Sequence, residues 1–210
     1  MYGVTFGSIT SASLNLIGAQ KTIGFPQPKV STISVPMSDV TLDFTEAYGG
    51  VHYNNRTITL VFLSLEPWSD QMAQDSTVKN ALHGKKMNIV FSDDDDYYYV
   101  GRITVGDWEY YQGAGRVIIT IDAEPYKYKA TETTKAQSGN GTVTLSNKRM
   151  PVVPYISATA ETTLAWDGNS VTIAAGNNQR VPQLVLKEGN TEITVTTSGS
   201  VTFKYREGSL

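Results

Sequence analysis

A chain of 210 residues with 40% hydrophobic and 18% charged content can bury a core, which excludes a disordered or low-complexity segment. A formal net charge of −3 excludes the basic field of a dedicated nucleic-acid binder, and the lack of cysteine excludes a disulfide framework or a thiolate site. The charge is uneven: residues 1–125 carry 8 Lys/Arg against 14 Asp/Glu, a balance of −6, while residues 126–210 carry 9 against 6, a balance of +3.

The opening "MYGVTFGSITSASLNLIG" lacks the basic start and long apolar run of a signal peptide. No stretch approaches the ~20 apolar residues of a membrane span. The sequence therefore reads as a soluble chain made in a cytoplasm, with no membrane insertion.

Strand signals dominate the first 125 residues. "VSTISV" and "VTLDF" are short, β-branched and separated by the turn-like "PMSD". "RTITLVFL" puts Ile58, Leu60 and Phe62 on one face, and Val61 and Leu63 make the other face partly apolar, as expected between layers or at a subunit contact. One helix is expected in "SDQMAQDSTVKNALHG", with Ser69 as N-cap, Gly84 as stop, and a core-packing stripe of Met72, Val78, Ala81 and Leu82. "MNIVF" and "YYYVGRITV" then flank Asp93–Asp96. Four adjacent carboxylates repel, and they lack the alternate spacing of a calcium loop, so the run reads as a solvated hairpin turn, with weak ion binding or an acidic contact surface as the lesser reading. In "GRVIITIDA", Val117, Ile119 and Ile121 share one face.

The texture changes at "EPYKYKATETTKAQSGNG", read as a linker over residues 129–139 between domains spanning 1–128 and 140–210. Seven strands follow: "GTVTLSN", "VVPYISATA", "TTLAW", "SVTIAA", "VPQLVLK", "TEITVTT" and "SVTFKY". Glycine turns separate them, with Asp167-Gly168 the plainest hairpin signal. The expected fold is all-β with one short helix, ending in a compact antiparallel β-sandwich.

Chemistry finds little support. His52 and His83 are far apart and have no partner at metal-ligand spacing, and no nucleophile elbow or phosphate-binding glycine loop appears. No catalytic, metal or cofactor residue is assigned, and the chain is not expected to be an enzyme. A carboxylate pair for glycan hydrolysis is the weakest of the readings. Trp68, Trp108, Trp166 and the tyrosines of "YYY" and "EYY" suit stacking on sugar rings, with Trp166 beside its turn as the candidate contact for sugar or partner. The plainer reading places these rings in the core or an interface. Arg56 and Arg102 follow tyrosines in strand signals and suit either subunit bridging or a buried pair within one subunit.

Taken together, "VTFGSITSASLNL", "VSTISVPMSDVTLDFTEAYGGVHYNNRTITLVF", "VKNALHGK", "YYYVGRI" and "IDAEPYKY" resemble, in order and spacing, the distal tail protein of long-tailed bacteriophages. The resemblance covers about residues 1–130. Where that family commonly has a glycine-rich turn after its V-P, this chain has Met37-Ser38-Asp39-Val40. The resemblance implies a β-sandwich-like, ring-forming N-terminal domain like the tail-tube fold and a galectin-like C-terminal sandwich. It implies a structural virion protein at the tail tip, assembled in the bacterial cytoplasm. Six copies would form a ring with the tail tube on one face and the tail-associated lysin or fibre hub on the other. Receptor-binding proteins would dock on the sandwiches, and DNA would pass through an acidic channel without specific binding. The alternative is a monomeric carbohydrate-binding module.

Overall fold

The computed structural model describes the chain except Tyr48, Leu65, Gln112 and Gly113 and the side chains of Trp68 and Tyr111. It divides into two compact units, Met1–Pro125 and Tyr126–Leu210.

Unit 1 contains β1 (Val4–Phe6), β2 (Ile9–Thr10), β3 (Ile17–Ile23), β4 (Thr32–Ser34), β5 (Thr41–Asp43), β6 (Arg56–Ser64), helix α1 (Trp68–Leu82), β7 (Lys86–Phe91), β8 (Asp94–Tyr111) and β9 (Ala114–Ala123). Its main sheet runs in the order β2-β1-β7-β8-β9-β6-β3, and these pairings are antiparallel. Register explains the core. Ile58 faces Ile121, Leu60 faces Ile119 and Phe62 faces Val117. On the other side of β9, Ile103 pairs with Ile121 and Val105 with Ile119. All of these side chains are buried. The alternation read from "RTITLVFL" and "GRVIITIDA" is thus the core face of two paired strands. Gly101 is required by this packing: a Cβ there would stand 2.5 Å from Ile121 Cγ2 and 2.8 Å from the Asp122 carbonyl oxygen.

The helix is where the sequence placed it, but its inner face differs. Val78 and Leu82 are buried, whereas Met72 is 81% exposed. Gln71 and Gln74 take the inner positions instead. Gln71 donates to the Glu66 carbonyl, and Gln74 donates to the Leu14 carbonyl at 2.8 Å while accepting from Ser64 Oγ. These amides satisfy loop backbone that apolar side chains would leave unpaired, so the stripe is partly polar. The residue preceding the helix is Pro67, not Ser69, and no side chain caps the first turn. Gly84, at φ +75, ends it as expected.

The aspartate run is only in part a turn. Ser92 and Asp93 make the bend from β7 to β8, and Asp94, Asp95 and Asp96 already belong to β8. Asp93 is held by Lys21 at 2.7 Å, with the ammonium 4.5 Å from the Phe91 ring centroid.

Unit 2 contains β10 (Lys127–Lys129), β11 (Thr133–Ser138), β12 (Gly141–Asn147), β13 (Tyr155–Ala158), β14 (Thr162–Trp166), β15 (Asn169–Ile173), β16 (Gly176–Arg180), β17 (Gly189–Thr197), β18 (Ser200–Tyr205) and β19 (Gly208–Ser209). Two four-stranded sheets, β11-β18-β13-β16 and β12-β17-β14-β15, enclose Leu145, Ile156, Leu164, Ile193, Val195 and Phe203. The compact sandwich is present.

Its boundaries differ from the sequence reading. Residues 133–138, read as linker, form β11 and pair residue for residue with β18, from Thr133 opposite Tyr205 to Ser138 opposite Ser200. Being an edge strand, β11 buries neither face, so it carries no apolar period to read. "GNNQR", read as a turn, is edge strand β16 for the same reason. "VPQLVLK" is not a strand. Pro182 can donate no ladder hydrogen bond, and the segment turns, with Leu184 N–H donating to the Val181 carbonyl. Its Val181, Leu184 and Leu186 plug the core. At the β14–β15 hairpin, Asp167 and Gly168 both take positive φ, 43° and 76°, as a two-residue type I′ turn requires.

Candidate assembly surface

Beyond β3 and β6 the same two chain directions continue outward as an arm. Gly24 N–H donates to the Thr57 carbonyl, Asn54 N–H to Gln27 and Lys29 N–H to His52, and Pro28 bridges Tyr53. The arm ends in the β4–β5 hairpin, with Thr32 opposite Asp43, Ile33 opposite Leu42 and Ser34 opposite Thr41. Every residue from 27 to 44 is exposed.

Period-two alternation makes this hairpin two-faced. Ile33 and Leu42 share one face, which Val35, Val40 and Phe44 continue; Thr32, Ser34, Thr41 and Asp43 share the other. The apolar face is bare, with Ile33 56% and Leu42 47% exposed. At the tip Met37 sits at φ 61, a left-handed conformation that glycine adopts without strain and other residues rarely do. A two-stranded hairpin is marginal in water by itself. Covering its apolar face recovers roughly 1.5–3 kcal/mol per fully buried side chain. This geometry suits docking onto another protein surface.

At the base of the arm a cleft of about 370 Å³ is lined by Pro28, Val30, Asp43, Thr45, Glu46 and Val51. Asp43 accepts from the Thr45 backbone N–H at 2.8 Å, and hydrogen bonds from Thr45 hold its carboxyl below the usual range.

The residues singled out in the sequence are not gathered into one site. Trp166 is 6% exposed and lies in the unit 2 core, so its ring offers no open stacking face. Trp108 is half-buried and donates to Gln71 Oε1 at 3.3 Å; the Trp68 and Tyr111 side chains lie outside the described residues. His83 Nδ1 accepts from the Val105 N–H, while His52 lies in the arm. Arg56 is buried; it donates to the Pro125 carbonyl and stacks 5.5 Å from the Tyr99 ring centroid. Arg102 donates to the Gly84 carbonyl at 2.6 Å. Both arginines therefore serve unit 1 internally. Among the described residues no group of three or more His, Cys, Asp or Glu could hold a metal ion. No helix among them is long and apolar enough to cross a membrane.

The arm was the surface the sequence did not disclose. Its signal was present in Val30, Ile33 and Val35 and in Val40, Leu42 and Phe44, a pattern that a strand facing its own core would share.

No protein-family model and no curated protein matches the sequence. Among solved structures, the chain is similar to the Dit protein of phage SPP1, described as a paradigm of the hub adsorption apparatus in phages infecting Gram-positive bacteria. The two share 15% identity at a TM-score of 0.73, covering 98% of this chain and 99% of that one. A weaker likeness, at a TM-score of 0.40 and 7% identity, is to a chain of the phage p2 baseplate in its activated conformation, covering 97% of each. The chain thus has, over nearly its whole length, the fold of a phage distal tail hub protein.

Proposed function

We propose that this chain is a structural component of a phage tail tip, a distal tail hub of which six copies form a ring. The ring joins the tail tube on one face to the tail-tip or baseplate proteins, including a tail-associated lysin or fibre hub, on the other. The observation that carries the reading is the arm. A hairpin with a bare apolar face on a well-packed unit is built for a partner surface, and a closed ring gives every copy the same partner. The fold shared with the SPP1 Dit protein supports this reading. The −6 balance of residues 1–125 suits a channel through which DNA slides without adhering. Receptor-binding proteins docking on unit 2 complete the proposal, which includes no catalytic step.

Negative-stain images of the purified chain, alone and mixed with tail tubes lacking their tip, test it. Six-fold rings with an open centre that cap the tube ends are expected. Particles that never form rings and never bind tubes would refute it.

A further inference from the structure

The bare face of the arm needs an apolar counterpart, and unit 1 offers one. Outside residues 24–54, the exposed large apolar side chains among the described residues of unit 1 are Met1 at the terminus, Met72 and Tyr110. Met72 and Tyr110 belong to one cavity of about 370 Å³ between α1 and β8, with the half-buried Trp108 ring as another wall.

Topology separates the two surfaces. The arm leaves the sheet at the Arg56 end of β6, where Gly24 N–H donates to the Thr57 carbonyl. The groove sits at the other end: Ser64 pairs with Gly115, Gly115 pairs with Tyr110, and Ser64 Oγ donates to Gln74 of α1. The nine residues of β6 lie between these ends, roughly 26 Å at about 3.3 Å per residue. The arm extends outward from the far end, so it does not reach the groove of its own copy.

We propose that the arm of one copy docks in the α1–β8 groove of the next, with Met37 set between Met72 and the rings of Trp108 and Tyr110. Met37 is fully exposed at the tip, and a thioether packs favourably against aromatic rings. The contact joins two different surfaces at opposite ends of the unit. Repeated head to tail, such a contact closes a ring, whereas arm on arm would stop at a two-fold pair. Charge does not drive it, since the arm carries Asp39 and Asp43 and the groove Asp75 and Asp107 beside Lys79. The inference rests on the self-association proposed above and deepens it by naming the surface that receives the arm.

The chain has no cysteine, so introduced thiols report without background. Met37→Cys and Met72→Cys, both at exposed positions, are made in separate full chains, mixed, and treated with a short bismaleimide. A crosslinked heterodimer is expected in the mixture and no crosslink in either variant alone. The yield should hold as salt rises and be lost when the Met72→Cys copy also carries Tyr110→Asp. Thr41→Cys, on the polar face of the hairpin, should replace Met37→Cys with a several-fold lower yield. A chain carrying both thiols should give a ladder that ends at six copies; a longer ladder would keep the contact and refute the ring. No heterodimer, while the unaltered chain assembles, would overturn the groove and leave the ring standing. No heterodimer from a chain that stays monomeric would overturn both. Crosslinking of Met37→Cys with itself, equal yield from Thr41→Cys, or loss of yield with salt would also overturn the proposal.

Discussion

In unit 2 the strands turn their apolar residues into the sandwich, and the alternating outward positions of β12, β14 and β17 include Thr142, Thr144, Thr163, Thr194 and Thr196. Unit 1 builds an equally dry core around Ile58, Leu60, Phe62, Ile119 and Ile121, yet leaves Phe25, Ile33, Met37, Leu42 and Phe44 in water. The core strands of the two units share the same apolar–polar alternation. What separates them is whether the apolar face meets its own chain. The first arrangement is complete in one copy; the second leaves an apolar face that an assembly would cover.

The largest effect expected from this contrast is on self-association. Ile33→Lys with Leu42→Lys places two charges on the arm's apolar face, and sedimentation should show assembly lost while circular dichroism stays unchanged. Retained assembly would show that the arm is not the contact. Truncating the core of the other unit should do the reverse. Phe203→Ala removes a fully buried ring and should cost about 3–5 kcal/mol in denaturant unfolding, with the mass of the assembly unaltered.

Glu207 gives a smaller and pH-dependent effect. Burial pushes its carboxyl up, but hydrogen bonds from Thr133 Oγ1 at 2.5 Å and Lys129 Nζ at 3.1 Å outweigh that and hold it below the usual range. A depressed folded value contributes stability above the unfolded value of about 4.3, which is lost as pH falls through the folded value. Glu207→Gln should lower stability by about 1–2 kcal/mol at neutral pH and flatten the acid limb below about pH 4. On the alkaline side, burial and then the Glu207 charge push Tyr205 up to about 12. A raised phenol contributes stability up to its unfolded value of about 10, lost as pH rises toward the folded one. Tyr205→Phe should remove that loss, together with the 2.6 Å hydrogen bond to the Ser146 carbonyl. The smallest effect is expected at the unit 1 surface. Asp93→Asn, which breaks the half-exposed pair with Lys21, should change stability by about 1 kcal/mol or less.

Where a strand packs against its own core, the sequence was a sufficient guide: Ile58, Leu60 and Phe62, or Val117, Ile119 and Ile121, alternate as their burial demands. Hydrogen bonds rather than side chains hold the edge strands β11 and β16, so "TTKAQS" and "GNNQR" passed for linker and turn. On α1, Gln71 occupied a position that amphipathic reasoning gave to Met72, because the helix had loop carbonyls to satisfy. At Trp166 the ring beside the turn lies in the core, as the plainer of its two readings had it. The arm was legible as two short strands, but its exposure depends on how far the chain extends from the sheet, which no local pattern encodes.

The most direct test is the native mass of the unaltered chain across micromolar concentrations, measured beside the Ile33→Lys, Leu42→Lys variant. Six copies of the 22.9 kDa chain, about 137 kDa, are expected for the first, and 22.9 kDa for the second. A strict monomer at every concentration, or an assembly of unchanged mass in the variant, would contradict the claim that the bare face of the arm holds a ring together.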